Sequence, residues 1–264
     1  LNHIRINEFI VMFLEKKKKK ILRKILKKEP LVCLTSYTAP IAKIADKFSD
    51  IILVGDSVGP VLYGLETTKD VSLDVMVQHA TAVVKKTKKA LIIVDMPFGT
   101  YEKNKTLAYK NAHKIISETG ADGVKLEGGE KISCIVKHLT QKGILVVGHI
   151  GMLPQSSDGK YKVYGKSKAQ KNQIMKDLNL LQESGVFLIV LECTVEKLAK
   201  KIIDKSKVPI IGIGASKDCH GQILVVEDLL GLTDFESKFL KRYTNLKKII
   251  SNSLSKFTNE VKKK

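Results

Sequence analysis

The stretch Ile-Ile-Leu-Val-Gly-Asp-Ser, residues 51–57, joins an uninterrupted apolar run to a polar end. Consecutive β-branched and aliphatic residues are typical of a strand that is buried on both faces, as in a parallel sheet covered by helices. An acid and a hydroxyl follow where this strand stops. The stretch therefore predicts a buried strand whose carboxyl end carries polar side chains.

The same pattern recurs along the 264-residue chain, in which 44% of the residues are hydrophobic. Helical segments alternate with these runs, and Ser72 stands as a helix N-cap while Gly120, Gly143 and Gly185 stand as C-terminal caps. Eight alternations in one chain predict an α/β fold, the TIM (β/α)8 barrel. The eight predicted strands cover residues 31–37, 51–56, 91–97, 123–128, 144–151, 187–193, 209–215 and 223–226.

A lysine-rich segment precedes the first strand. Between residues 16 and 28 the lysines alternate with Ile21, Leu22, Ile25 and Leu26 at helical spacing, which predicts an amphipathic helix whose apolar stripe docks on the barrel. We divide the chain into residues 1–28, a basic lead-in with this capping helix, and residues 29–264, a single TIM-barrel domain that ends in C-terminal helices.

The formal net charge of +19 raises the alternative of a nucleic-acid- or membrane-surface-binding protein. Arginine, the better bidentate ligand of phosphate, occurs only at Arg5, Arg23 and Arg242, so the charge is almost all lysine. That alternative also leaves the polar strand ends unexplained. We therefore predict neither a nucleic-acid nor a membrane partner.

The four cysteines, Cys33, Cys134, Cys193 and Cys219, lie far apart and form no CxxC pair. No secretory signal precedes them, and no apolar stretch reaches the roughly 18 residues that a bilayer requires. These features predict reduced thiols in a cytoplasmic protein.

Polar residues stand at the carboxyl ends of five successive predicted strands. In a TIM barrel the active site lies at that face, and a buried charge there costs several kcal/mol unless it has a partner. A single strand-end acid often only caps a helix, but five in succession predict that the side chains converge on one site. They are Asp56, Ser57, Asp95, Lys125, Glu127, His149 and Glu192.

Asp56, Asp95 and Glu127 supply hard oxygen donors, which suit Mg²⁺ better than a soft metal. Lys125 stands two residues before Glu127, so both side chains point to the same side of the strand. This pair predicts an anchor for an anionic substrate group beside a metal.

Eight motifs in chain order connect this sequence with a known family. They are TSYTAP at 35–40, LVGDS at 53–57, VDMPF at 94–98, VKLEGGE at 124–130, GHIG at 148–151, PQS at 154–156, VLEC at 190–193, and GIGAS at 212–216 followed by GQILV at 221–225. With these motifs the chain resembles ketopantoate hydroxymethyltransferase over residues 29–232.

The resemblance implies a Mg²⁺-dependent enzyme of pantothenate biosynthesis. It would transfer a hydroxymethyl group from 5,10-methylenetetrahydrofolate to 3-methyl-2-oxobutanoate, through a Mg²⁺-stabilised enolate, and give 2-dehydropantoate. It also implies a homo-oligomer, commonly a decamer, whose N-terminal helix closes the barrel floor.

The resemblance assigns roles to the strand-end residues. Glu192 is the base, Asp56 and Asp95 are metal ligands, and Glu127 is a third carboxylate of the metal shell. Substrate contacts come from Asp56, Ser57, Asp95, Lys125 and His149, with Ser57 and Lys125 on the oxo-acid carboxylate.

Residues 154–166 are expected to form a lid over the folate, and the segment 156–161 is shorter than the family pattern.

The enzyme alternative is another oxo-acid-enolising barrel, of the phosphoenolpyruvate mutase and isocitrate lyase group. Such enzymes typically rely on a catalytic cysteine loop after the fourth strand, and the sequence near Glu130 does not resemble that loop.

Overall fold

The computed structural model describes residues 2–157 and 162–263, with side chains from Leu14 onward. Its parallel strands close into a barrel in which each strand pairs with the next along the chain and the last pairs with the first. This topology confirms the predicted TIM barrel. The strands are β1 Leu31–Thr35, β2 Ile51–Val54, β3 Leu91–Asp95, β4 Gly123–Glu127, β5 Val146–Gly151, β6 Leu188–Glu192, β7 Ile210–Ile213 and β8 Gly221–Leu224.

The helices begin and end at the signals that the sequence carries. Ser72 Oγ accepts a hydrogen bond from Val75 N–H at the start of one helix, and Gly120, Gly143 and Gly185 all have the positive φ of a C-terminal cap. The α-helices are α1 Asn2–Leu26, α2 Ala39–Ala45, α3 Leu73–Val84, α4 Lys105–Thr119, α5 Ser133–Gln141, α6 Lys168–Glu183, α7 Glu196–Lys205, α8 Val226–Leu229 and α9 Leu246–Lys262.

Each strand has one row of side chains inside the barrel and one against the helices, because side chains alternate along a strand. Leu91 and Ile93 of β3 belong to the inner cluster, whereas Ile92 and Val94 belong to the outer cluster that packs on the helices. The inner row of β3 then ends in Asp95. The alternation therefore turns the polar end of the strand toward the barrel axis.

The helix α1 closes the amino-terminal end of the barrel. Ile21 is 1% exposed and packs in the inner cluster, and two lysines pair with acids that precede strands: Lys17 Nζ lies 2.6 Å from Asp122 Oδ2 and Lys24 Nζ lies 2.8 Å from Asp50 Oδ2. Burying such an isoleucine stabilises the fold by about 1.5–3 kcal/mol. The predicted capping helix is confirmed, although it begins well before residue 16.

The predicted C-terminal tail contains α9, and none of the residues of this helix is buried. Three of its large apolar residues, Leu254, Phe257 and Val261, are more than half exposed, at 61%, 66% and 55%.

The four cysteines are free, and only Cys134 is exposed. In the described part of the chain, no helix has the length and apolarity to cross a membrane.

Candidate active site

The inner rows of four neighbouring strands end in ionisable side chains at one end of the barrel. The strand register sets Asp95 of β3 beside Lys125 of β4, and Glu127 of β4 beside His149 of β5. Glu192 ends β6 and continues the inner row of Leu188 and Val190. All of these groups are buried, with exposed fractions of 2–7%. The barrel therefore gathers them into one cluster at its carboxyl face.

Positive and negative groups alternate across this cluster. Lys125 Nζ lies 3.0 Å from Asp95 Oδ1 and 3.7 Å from Glu127 Oε1. The His149 ring lies between two acids, with Nδ1 3.2 Å from Glu127 Oε1 and Nε2 3.2 Å from Glu192 Oε2. The imidazole therefore links the Lys125 pair to the end of β6.

The carboxylates around His149 favour its protonated form. Burial and the nearby Lys125 lower the pKa of its imidazole, but the contacts with Glu127 and Glu192 outweigh both and raise the pKa to about 9. Lys125 Nζ lies 3.3 Å from His149 Nδ1, and a protonated Nδ1 cannot accept a hydrogen bond from it. The two carboxylates, each 3.2 Å from a ring nitrogen, therefore attract the protonated ring by charge, while Lys125 is a repulsive neighbour.

The carboxylates outnumber the cations. Asp56 follows β2, and its backbone N–H donates to Asp95 Oδ2 at 3.1 Å. Burial, together with the charges of Asp95 and Glu127, raises the pKa of the Asp56 carboxyl well above its ordinary value. Burial also raises the pKa of Asp95 in spite of Lys125, whereas His149 and Lys125 outweigh burial and lower the pKa of Glu127. The cluster thus has a deficit of positive charge that is largest at Asp56, because Lys125 lies within ion-pair distance of Asp95 and Glu127.

This deficit fits a divalent cation. Asp95 Oδ1 is buried and, apart from its ion pair with Lys125, accepts no hydrogen bond from the described residues. Nowhere in residues 2–157 and 162–263 do three His, Cys, Asp or Glu side chains form a ready-made metal-ligand set. Mg²⁺ commonly takes only one or two protein carboxylates and keeps several waters, so Asp56 and Asp95 suffice as its donors.

All seven predicted site residues line one inner cavity of about 80 Å³. Ser57 stands at its edge, where its Oγ lies 2.7 Å from the Tyr37 hydroxyl. Apolar side chains, including Leu53 and Val190, line the rest of the cavity. A small anionic molecule with a short apolar branch matches this combination. The residues that line the cavity include Asp56, Ser57, Asp95, Lys125, Glu127, His149 and Glu192.

Gln155 has no predicted role, although it lies in one of the quoted motifs. The Gln155 side chain is buried, and its Nε2 donates to Asp56 Oδ2 at 2.7 Å while its backbone N–H donates to Glu127 Oε2 at 3.0 Å. The Tyr101 hydroxyl donates to Gln155 Oε1 at 2.6 Å and thereby orients the amide. No sequence signal marked Tyr101.

The predicted lid is described only in part, because residues 158–161 lie outside the described residues. Its first part is the 3₁₀ turn Pro154–Ser156, which carries Gln155 into the site. Its far side returns to the barrel where Tyr164 N–H donates to Cys193 O at 2.7 Å, directly after Glu192. Both described flanks of the segment are therefore tied to the carboxyl face of the barrel.

The comparisons with known proteins match the chain along most of its length. Residues 16–264 match the family described as Ketopantoate hydroxymethyltransferase. A 3-methyl-2-oxobutanoate hydroxymethyltransferase of Pelagibacter ubique is 48% identical over 245 residues, 92% of this chain and 95% of that protein. The protein of the same name from Rhizobium etli is 46% identical over 237 residues, 89% of this chain and 87% of that protein.

Solved structures with little sequence identity share the fold. Phosphonopyruvate hydrolase in complex with oxalate and Mg²⁺ has a TM-score of 0.60 at 12% identity, over 79% of this chain and 80% of that chain. The structure of 2,3-dimethylmalate lyase, a PEP mutase/isocitrate lyase superfamily member, has a TM-score of 0.56 at 13% identity, over 79% of this chain and 80% of that chain. Because identities near 45% over most of the chain accompany the family match, the chain belongs to the ketopantoate hydroxymethyltransferase family, as its motifs predicted.

Proposed function

We propose that this protein transfers a hydroxymethyl group from 5,10-methylenetetrahydrofolate to 3-methyl-2-oxobutanoate in pantothenate biosynthesis. The observation that carries the proposal is the inner cavity, where the seven predicted site residues meet around a space suited to a small oxo acid. The names of relatives at 46% and 48% identity support the same activity. The reaction consumes one water and gives 2-dehydropantoate and tetrahydrofolate.

The oxo acid is held by its polar end. Lys125 and Ser57 are the proposed partners of its carboxylate, and both line the inner cavity. Leu53 and Val190 provide an apolar surface for the isopropyl group. This placement directs C3 of the substrate toward the end of β6, where Glu192 stands.

Glu192 is the proposed base that removes the C3 proton. His149 Nε2 lies 3.2 Å from Glu192 Oε2, so the charge of a protonated imidazole attracts this carboxylate, which lines the inner cavity. The proton moves from C3 to the Glu192 carboxylate, and the electron pair of the C–H bond is delocalised toward the keto oxygen of the substrate.

Asp56 and Asp95 would hold Mg²⁺, with Glu127 behind them. When bound, the ion supplies Lewis-acid stabilisation of the negative charge that develops on the keto oxygen. Gln155 fixes the arrangement, because its amide positions Asp56 and its backbone N–H holds Glu127. These contacts restrict both carboxylates to one orientation before the substrate arrives.

Carbon–carbon bond formation completes the transfer. C3 forms a bond to the methylene carbon of the folate, both bonds from this carbon to the folate nitrogens break, and a water oxygen becomes the hydroxyl group. The two nitrogens take up the proton removed from C3 and one proton of the water. The test is product formation, followed by NMR with purified protein, oxo acid, methylenetetrahydrofolate and Mg²⁺. Hydroxymethyl product that disappears with a chelator supports the proposal, whereas C3 exchange without product would replace it with the mutase and lyase alternative.

We further propose a homo-oligomer, a decamer as the resemblance implies, located in the cytoplasm. On α9, Ile250, Leu254, Phe257 and Val261 recur at spacings of four, three and four residues, which places them along one face of the helix. These side chains are 39–66% exposed. An apolar stripe of this kind favours a contact with a second copy of the chain.

A further inference from the structure

A second cavity of about 280 Å³ lies over the inner one. The two share Ser57, Thr68, Pro154 and Val225 as lining residues, so the outer cavity opens directly onto the site of the proposed proton transfer. It is several times larger than the inner cavity, and the proposed chemistry of the oxo acid uses none of its other lining residues. A second reactant that meets the oxo acid must approach from this side.

The charge of the outer cavity is opposite to that of the chain. Its lining contains the acids Glu66, Asp228 and Asp234, and none of its described lining residues is a lysine or an arginine. The whole chain, by contrast, has 46 Lys and Arg against 27 Asp and Glu. Such a lining disfavours phosphates and carboxylates and favours a group that presents N–H donors.

The walls of the cavity are apolar and come from separate segments. Val61 lies on the turn after β2, Met152 and Pro154 lie after β5, and Phe235 lies in the segment before α9. Hydroxyl groups of Ser57, Thr67 and Thr68 also line it. Apolar walls with a few polar groups at the edge are typical of a site for a small organic ligand.

Among the acids, Asp228 is the buried one. It lies on α8 and is 8% exposed, and its Oδ1 accepts a hydrogen bond from the Thr233 hydroxyl, which fixes the carboxylate. Asp234 forms an ion pair with Lys247 and its side chain is 97% exposed, and Glu66 is exposed as well. Asp228 is therefore the acceptor best placed to recognise a buried ligand.

We infer that the outer cavity binds the reduced pterin ring of the one-carbon donor, with the Asp228 carboxylate accepting hydrogen bonds from the amino group and a ring N–H of its aminopyrimidine part. This inference rests on the proposed function and names the subsite of its co-substrate. The negatively charged glutamate tail of the folate lies outside this acid-lined cavity. Since Ser57 and Pro154 border both cavities, the ring lies beside the oxo acid.

The test measures both half-reactions in Asp228→Asn. The amide keeps the size of the side chain but loses the charge, so KM for methylenetetrahydrofolate should rise about tenfold or more, the loss expected for hydrogen bonds to a charged group. C3 proton exchange of the oxo acid, measured without folate, should stay within about twofold of wild type. Glu236→Gln removes an equal charge from a side chain that is 85% exposed and outside the cavity, and should leave both values unchanged.

A second variant reaches the cavity without touching Asp228. Val61→Trp fills the space from a partly exposed wall, so it should weaken folate binding and spare C3 exchange. As a probe without a glutamate tail, 6-methyltetrahydropterin should compete with the folate in wild type and about tenfold less well in Asp228→Asn.

The two hypotheses fail in different ways. If wild type forms product but both variants keep the wild-type folate KM, the pterin subsite is wrong and the proposed function stands. If C3 exchange falls in both variants by the same factor by which the folate KM rises, the subsite is also overturned, because such a result would indicate a general defect. If wild type forms no hydroxymethyl product, the proposed function itself fails.

Discussion

His149 Nε2 lies 3.2 Å from Glu192 Oε2, so a buried imidazolium holds the side chain that we propose as the base. The same ring contacts Glu127 through Nδ1, also at 3.2 Å. His149 therefore couples the base to the carboxylates of the proposed metal site. A change in its charge should be measurable in stability as well as in catalysis.

The charge of His149 can be observed directly in the metal-free protein. Its two carboxylate partners raise the pKa of the imidazole to about 9, so one of the six histidines should titrate near that value by NMR. The corresponding signal should be missing from His149→Gln. If all six histidines titrate near or below about 6.5, the assigned ion network is wrong.

The same pKa predicts how stability changes with pH. A histidine whose pKa is raised by folding contributes stability that is fully present below the unfolded value of about 6.5 and is lost as the pH rises through about 9. Chemical denaturation of wild type and His149→Gln should therefore differ most near pH 6 and converge above pH 9. A difference that grows with pH would contradict this prediction.

Mg²⁺ should stabilise the protein through Asp56. Because burial and two neighbouring acids raise the pKa of Asp56, its contribution to stability is lost as the pH rises through the folded value. A saturating divalent ion should restore it and raise Tm by about 5–10 °C, with a larger effect at higher pH. Thermal melts with Mg²⁺ and with a chelator measure this shift.

Two matched substitutions sharpen that test. Asp56→Asn keeps an oxygen for Gln155 but removes one excess charge, so the apo protein should be at least as stable as wild type while the Mg²⁺ shift disappears. Asp95→Asn leaves Lys125 without its ion pair at 3.0 Å and should destabilise the apo protein. An undiminished Mg²⁺ shift in both variants would place the metal elsewhere.

Asp46 provides a stability prediction outside the site. Its carboxylate accepts backbone hydrogen bonds from Lys88, Lys89 and Ala90 just before β3. Burial raises the pKa of Asp46, but these donors outweigh it and keep the pKa below its ordinary value. Asp46→Ala should cost about 2–3 kcal/mol of unfolding free energy at neutral pH. The difference from wild type should shrink as the pH falls through the folded pKa, and a constant difference would contradict this role.

The apolar stripe of α9 predicts how the chain assembles. Wild type should have a solution mass that is a multiple of the 29.3 kDa monomer, and the double variant Leu254→Asp/Phe257→Asp should yield smaller species. Light scattering after gel filtration gives both masses. The control Asn252→Asp/Asn259→Asp adds the same charge on the opposite face and should keep the wild-type mass. Monomeric wild type would overturn the proposed oligomer.

Sequence patterns predicted the barrel because each strand is a dense apolar run, and a charged residue within such a run stands out. The residues of the ion network were visible for this reason, and Lys125 and Glu127 are on one side because they are two residues apart. Gln155 and Tyr101 could not be found in this way, because they reach the site from loops. They contact each other across 54 residues of the chain. The early start of α1 was likewise missed, because its apolar stripe was evident only from residue 16 onward.

Proton-to-deuterium exchange at C3 of 3-methyl-2-oxobutanoate tests the proposed role of Glu192 most directly. Wild type with Mg²⁺ should exchange the proton without any folate, and Glu192→Gln should slow the exchange by about 100-fold or more while its fold and its Mg²⁺-dependent Tm shift persist. Exchange at the wild-type rate in Glu192→Gln, or exchange by neither protein, would contradict the assignment of Glu192 as the base.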